Sequence, residues 1–507
     1  MIQIILSNKI FENDVYPLVK AFCPRVKIKV YSQEELLKLL EEDHYEADLI
    51  KADFVETVKR INIDFSEQEF TININCNTGE DIFRTFATIG FTEDKAKYKN
   101  SIKRELYYIL NRITGRELPW GILTGIRPTK LVYEMLSKGM DEVSIDRRMK
   151  EEYLCSEEKI RMSIRIAKRE MELLQDMDYR NGYSLYIGIP FCPSTCLYCS
   201  FTSYSIERFS DQVEDYLNAL EKEITYGATL FRDKKLTTVY FGGGTPTTLT
   251  AQQLDRLLGL VREKYDFTHV MEFCVEAGRP DSITEEKLRV LKKWGVDRIS
   301  INPQSMQQRT LDLIGRHHSI EQVKEAFRLA RNTGHNNINM DLIIGLPGEK
   351  PEDVADTLAQ IKELNPESLT VHTLALKRAA RLNIEKANYE GLRAEEVPEM
   401  LELTLKYAEE NDYLPYYLYR QKNMADNLEN IGYARYGMEG LYNILIMEEQ
   451  QTILALGAGA MSKFVFHEEN RIERVDNVKS VTDYISRIDE MIQRKQDFLL
   501  SEAIFTR

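Results

Sequence analysis

Between residues 184 and 374, six short apolar runs alternate with segments of helical period, and this alternation restricts the fold more than any other feature of the chain. The runs are SLYIGI (184–189), TTVYFG (237–242), MEFCVEA (271–277), RISIN (298–302), INMDLIIG (338–345) and SLTVHTL (368–374). Between them, stretches such as AQQLDRLLGLVREKY and SIEQVKEAFRLARNTG repeat apolar residues three and four apart. Several open after a capping residue, Thr250 or Ser319, and close on a glycine, Gly295 or Gly334. Parallel strands need crossovers of this length, so the pattern predicts an α/β fold whose six βα units form a central barrel or partial (β/α)6 barrel. In such a barrel the chemistry gathers at the C-terminal ends of the strands. Cys192, the GGGTP run, Glu276, Gln304 and Ala375 fall there, and Asp341 lies within the fifth strand.

A chain of 507 residues exceeds one ordinary core, so further domains are expected. Residues 1–115 mix the strand-like runs QIIL, KIKVY, RINIDF and FTININ with the helical stretch KYKNSIKRELYYILNRIT, which predicts an N-terminal α+β domain. Residues 116–180 read as a helical connector, 181–379 as the partial barrel, and 380–507 as a mainly helical C-terminal domain interrupted at ILALGAGAMSKFVF. No stretch reaches the roughly 18 uninterrupted apolar residues of a membrane span. The start, MIQIILSNKIFEND, has neither a basic leader nor a long apolar stretch, so a cytoplasmic address is expected. A formal net charge of -14 disfavours general nucleic-acid binding, which needs clustered Lys and Arg.

Three of the seven cysteines, Cys192, Cys196 and Cys199, lie inside FCPSTCLYC, spaced C-x3-C-x2-C. The others, Cys23, Cys76, Cys155 and Cys274, are scattered, which argues for reduced thiols rather than a disulfide framework. A structural zinc site wants four ligands, and no fourth cysteine or histidine lies nearby in sequence. A four-iron cluster held by three thiolates instead leaves one iron open, and an open metal position is a place for chemistry.

YIGIPFCPSTCLYC, followed some 40 residues later by a strand ending in GGGTP, resembles radical S-adenosylmethionine (SAM) enzymes, specifically the oxygen-independent coproporphyrinogen III oxidase (dehydrogenase) group. VEAGRPD, RISINPQSM, NMDLIIGLPGE and VHTLALKRA add to the likeness, which covers roughly residues 183–465 and looks nearest to the variant with a long N-terminal extension, called HemZ-type. The resemblance implies a [4Fe-4S] cluster on Cys192, Cys196 and Cys199, with SAM chelating the fourth iron and yielding an adenosyl radical after reduction. It implies SAM contacts from Tyr186, Gly243, Gly244, Thr245 and Glu276, and contacts to a second SAM molecule from Tyr198, Gln304, Arg316, Asp341 and Ala375. Whether one or two SAM molecules bind stays open. The partners implied are a tetrapyrrole substrate and an external electron donor and acceptor, with no nucleic acid and no membrane span.

Each of these residues has a plainer reading. The glycine run could be a tight turn, Glu276 a solvated carboxylate, and Cys274 a small buried hydrophobe. Asp341, inside an apolar run, should find a partner, because a lone buried carboxylate is costly. Lys377, Arg378, Arg127 and Lys130 could meet propionates or solvent, and Tyr413, Tyr416, Tyr417 and Tyr419 could line a tetrapyrrole pocket or fill a core. Two positions depart from the family pattern. Gly188 stands where a histidine is usual, and Phe201 where a further cysteine is usual. The implied reaction is oxidative decarboxylation of coproporphyrinogen III to protoporphyrinogen IX. A haem carrier with the same fold, or a haem-degrading radical SAM methyltransferase, are the alternatives.

Overall fold

The computed structural model describes residues 1–24, 26–41, 58–76, 81–125, 127–199, 201–374, 396–420 and 428–502. It comprises two compact units, Met1–Arg165 with Arg420–Leu428, and Ile166–Tyr419 with Glu429–Arg507.

The first unit is built on a five-stranded sheet in the order β2-β1-β3-β4-β5. Its strands are β1 (Ile2–Leu6), β2 (Ile28–Ser32), β3 (Val58–Phe65), β4 (Glu69–Cys76) and β5 (Asp81–Ala87). β1 runs parallel to β2 and β3, and the last three strands form an antiparallel meander. Alternation in β3 and β4 buries Ile61, Ile63, Phe70, Ile72 and Ile74. The helices α1 (Glu12–Phe22) and α3 (Lys95–Thr114) bury apolar stripes, including Tyr98, Ile102, Leu106 and Leu110 on α3. The remaining helices are α2 (Gln33–Glu41), α4 (Thr129–Ser137), α5 (Glu142–Glu151) and α6 (Glu157–Gln175). The division between units falls inside α6, so the connector expected at 116–180 is split between them rather than standing apart.

In the second unit six parallel strands follow one another in chain order: β6 (Gly182–Ile189), β9 (Lys235–Gly243), β10 (Glu272–Gly278), β11 (Arg298–Ile301), β12 (Ile338–Ile344) and β13 (Ser368–Thr373). Helices α7 (Val213–Leu230), α8 (Ala251–Lys264), α9 (Glu285–Lys293), α10 (Gln308–Leu313), α11 (Ile320–Asn332) and α12 (Pro351–Leu364) make the crossovers. Thr250 and Ser319 both close capping boxes, and Gly295 and Gly334 take left-handed backbone after their helices. Period-two alternation divides the strands. Ile187, Val239, Phe241, Val275, Ile299, Met340, Leu342 and Val371 are buried on one face. Tyr186, Tyr240, Glu276, Ser300, Asn339, Asp341, Thr370 and His372 share the other. That polar face is where the candidate site lies.

The C-terminal segment corrects the sequence reading. Residues 380–507 are not a separate, mainly helical domain, because five strands among the described residues join the barrel's own sheet. β14 (Leu414–Tyr419) and β15 (Asn430–Ala434) extend it antiparallel beyond β13. β16 (Thr452–Leu456) pairs parallel with β6, followed by β17 (Met461–Phe466) and β18 (Arg471–Asp476). The physical reason is that a parallel run leaves both outer strands with unpaired backbone, and short apolar, strand-favouring runs satisfy it. The helices here are α13 (Val397–Glu410), α14 (Leu441–Glu448), α15 (Val481–Ser486) and α16 (Ile488–Ser501). The result is an eleven-stranded sheet, open among the described residues. No helix among them is long and apolar enough to cross a membrane.

Candidate functional site

The cysteine loop begins where β6 ends. Phe191 and Cys192 form a short strand, β7, paired with Tyr204 and Ser205, which form β8. The end of β9 stitches this segment in place: Gly244 N–H donates to Ile189 O at 2.8 Å and Thr245 N–H to Phe191 O at 2.7 Å. The Thr245 hydroxyl lies 3.5 Å from Cys192 Sγ. On the far side, Leu197 N–H donates to Ile314 O at 3.1 Å. A side chain at Gly244 would place its Cβ 2.5 Å from Phe191 O and 3.0 Å from Cys192 Sγ. Glycine is therefore required there by the protein's own cysteine strand.

Burial pushes the Cys192 thiol up to about 11, with the Thr245 hydroxyl acting weakly against it, and burial also raises Cys199. Thiols this reluctant to ionise act as ligands only against strong local positive charge, which iron supplies. Among the described residues no three His, Cys, Asp or Glu side chains converge as ligands of a single metal ion would. A cluster asks for something else, one iron per thiolate, and buried Cys192 and Cys196 with half-buried Cys199 on one short loop suit it.

On the polar face, Tyr186, Tyr240 and Tyr442 form a stack. Tyr442, from α14, lies 4.4 Å from the Tyr240 ring at 20°. Tyr186 is 6.1 Å from Tyr240 and 6.2 Å from Tyr442. Tyr240 donates to Glu276 Oε1 at 2.6 Å. Burial raises the Glu276 carboxyl to about 7; the Tyr240 hydrogen bond opposes this and nearby Asp341 adds to it. Glu276 is thus a half-buried, hydrogen-bonded carboxyl rather than a freely solvated one. Tyr240 and Tyr442 were missed by sequence reasoning. Period two carries Tyr240 onto the face of Gly242 and so could have found it, whereas nothing local marks Tyr442.

Asp341 has the partners its position demands. Asn339 donates to it at 2.7 Å, and His372 Nε2 stands 3.9 Å away. Burial pushes this carboxyl up, but His372, Asn339 and Thr370 together hold it below its ordinary value. Tyr419 contacts the other ring nitrogen of His372 at 3.3 Å. Gln304 is bonded to the same strand: its N–H donates to Asp341 O at 2.9 Å and its carbonyl accepts from Ile343 at 2.8 Å. It takes a left-handed backbone, φ 69°, which costs a non-glycine residue roughly 1–3 kcal/mol and is found where geometry matters. Arg316 donates to Asn302 O, and its charge faces Tyr198 and Cys196. Ser300 Oγ, Asn302 Oδ1 and Gln304 Oε1 are buried without a hydrogen-bond partner. Such atoms are costly unless a polar ligand completes them.

The structure therefore gathers Tyr186, Gly243, Glu276, Gln304 and Asp341 on the polar face and strand ends, and Tyr198 and Arg316 beside Cys196. Ala375 lies outside the described residues, as do Lys377 and Arg378. Of the tyrosine group, Tyr413, Tyr416 and Tyr417 are buried in packed surroundings, Tyr413 donating to Pro366 O at 2.6 Å, so they fill the core. Cys274 is buried, as expected of a small hydrophobe, and Lys130 is near Glu134 at 3.9 Å. Gly188 sits opposite Gly242 in register, and Phe201 is 73% exposed.

Comparison with known proteins adds the following. Residues 186–361 match the family model of the radical SAM superfamily. The chain is 45% identical to the oxygen-independent coproporphyrinogen-III oxidase-like protein HemZ of Bacillus subtilis, over 83% of this chain and 85% of that one. It is 33% identical to the heme chaperone HemW of the same organism, over 61% of this chain and 76% of the other. Among solved structures, the coproporphyrinogen III oxidase HemN of Escherichia coli, a radical SAM enzyme, superposes with a TM-score of 0.51 at 26% identity, over 63% of this chain and 72% of that one.

Proposed function

The chain belongs to the radical SAM superfamily and, within it, to the oxygen-independent coproporphyrinogen III oxidase-like proteins of the HemZ type, and from that premise we propose that it converts two propionates of coproporphyrinogen III into the vinyl groups of protoporphyrinogen IX. The cofactors of this superfamily are a [4Fe-4S] cluster and SAM. Cys192, Cys196 and Cys199 would hold the cluster, its fourth iron being left for the amino and carboxylate groups of SAM. When bound, the reduced cluster supplies the electron that cleaves the SAM sulfonium, the hard chemistry that no side chain can perform.

The chain's own residues bind, orient and seal. Tyr186, Gly243, Gly244, Thr245 and Glu276 would hold the SAM at the cluster. Glu276, its carboxyl raised to about 7 by burial and bonded by the Tyr240 hydroxyl at 2.6 Å, would pair as a carboxylate with a cationic ligand. Beside it the Tyr186, Tyr240 and Tyr442 rings pack against one another. The unpartnered Ser300, Asn302 and Gln304 oxygens, with Asp341, Arg316, Tyr198 and Ala375, would take a second SAM or the polar edge of the substrate. Each decarboxylation releases CO2 and one electron, so an external acceptor is needed as well as an external reductant.

The observation that carries this reading is the 45% identity to an oxidase-like protein over 85% of that protein's length. The test offers coproporphyrinogen III and haem separately to the reduced, cluster-loaded protein without oxygen. The reading expects 5'-deoxyadenosine and vinyl products with the porphyrinogen. Tight haem binding with no porphyrinogen-dependent SAM cleavage would replace it with a haem carrier, a second reading supported by the similarity to a heme chaperone. S-adenosylhomocysteine or a linear tetrapyrrole would point to a haem-opening methyltransferase instead.

A further inference from the structure

Arg279 lies just beyond β10 and is 2% exposed, yet it sits neither on the strand's polar face nor in any ligand set implied by the family. Its guanidinium makes a two-armed fork with Asp281, Nε to Oδ1 at 3.0 Å and Nη2 to Oδ2 at 2.6 Å. That fork fixes the plane of the group. The remaining arm, Nη1, donates to both the carbonyl and the hydroxyl of Ser194, at 3.1 and 2.6 Å. Ser194 lies midway between Cys192 and Cys196, and its hydroxyl passes the chain on to Gly315 O at 3.4 Å, the residue before Arg316. Asp281, Arg279, Ser194 and Gly315 thus form one line of hydrogen bonds across the cysteine loop.

We propose that Arg279, oriented by Asp281, is a positioning residue for the iron–sulfur cluster: it clamps the Cys192–Cys196 loop through Ser194 and sets the cluster's reduction potential by its charge. The proposal rests on the reading of Cys192, Cys196 and Cys199 as the cluster ligands. A lysine could keep the charge but not the fork and the double contact to Ser194. Charge and clamp are therefore separable.

The experiment loads wild type, Arg279→Gln, Arg279→Lys, Asp281→Asn and Ser194→Ala with iron and sulfide under anaerobic conditions. It then measures iron per chain, the rate of cluster loss to a chelator, and the reduction potential by EPR-monitored titration. Arg279→Gln and Ser194→Ala are expected to lose the cluster about tenfold faster, the scale seen when partners that orient metal ligands are removed. Removing a positive charge should lower the potential in Arg279→Gln, and removing a negative one should raise it in Asp281→Asn. Arg279→Lys should restore the potential but not the retention. Wild-type retention in Ser194→Ala, or equal potentials in Arg279→Gln and Asp281→Asn, would overturn the proposal. Circular dichroism of the cluster-free proteins identifies any variant that fails to fold, in which case Ser194→Ala and Asp281→Asn carry the test. Should the wild type itself take up no cluster, the functional reading fails and not the clamp alone.

Discussion

Single residues in this site owe their behaviour to burial. Glu349, in the GLPGE run, is buried and accepts a hydrogen bond from Ser305, which fixes the turn that carries Gln304. Burial pushes its carboxyl up to about 7, with Ser305 and Thr310 opposing. A carboxyl raised on folding favours the folded state while protonated and loses that advantage as pH climbs through the folded value. Glu349 should therefore give the cluster-free protein a falling slope of up to about 3 kcal/mol as pH rises from about 4.5 to about 7, with Glu276 acting in the same sense and buried His318, lowered to about 4, in the opposite one. In Glu349→Gln that slope should flatten, as read by urea unfolding at several pH values. An unchanged slope would show that Glu349 does not carry this burden. The same scale decides what was legible beforehand. The spacing of the three cysteines and the glycine run announced the site without help, because their chemistry is local. Tyr442 was invisible, since it reaches the site from an element nearly 200 residues beyond the GGGTP strand end. The crowding of Gly244 by the Phe191 carbonyl was not legible, because that carbonyl is a neighbour only in the fold.

Elements are held to the sheet by a few buried polar ties as well as by apolar packing. The clearest joins α7, β16 and α16. Glu223 and Lys495, each 1% exposed at the side chain, meet at 2.8 Å. Lys495 also donates to Asn477 at 2.7 Å, and Glu223 accepts from Gly457 N–H at 2.8 Å and from the Tyr484 hydroxyl. Removing one partner strands a buried charge, so Glu223→Ala should cost about 3–5 kcal/mol in thermal or urea unfolding. A double replacement, Glu223→Leu with Lys495→Met, should cost markedly less. If the single variant costs under about 1 kcal/mol, the tie is not what holds α16 in place. At this scale the six parallel strands were readable to within a few residues, since period and caps are sequence-local. The C-terminal strands were not. Runs such as TILAL and NIGYA are short and apolar, and only the unpaired edges of β6 and β13 decide that they become strands.

At the scale of the whole molecule, the second unit would present three thiolates and reserve one iron for a sulfonium ligand. The two compact units each have a sheet and a core of their own. The barrel unit contains every described residue of the candidate site, so the claim can be tested on the full chain without assigning a task to the first unit. The most direct measurement is electron–nuclear double resonance on the anaerobically reconstituted, reduced protein, with SAM labelled with nitrogen-15 at its amino group and oxygen-17 at its carboxylate. The account predicts hyperfine coupling of both labels to the cluster, seen in the wild type and lost when Cys192, Cys196 or Cys199 is replaced by alanine. A cluster with four protein ligands and no coupling to either label, or uptake of zinc in place of iron and sulfide, would contradict it.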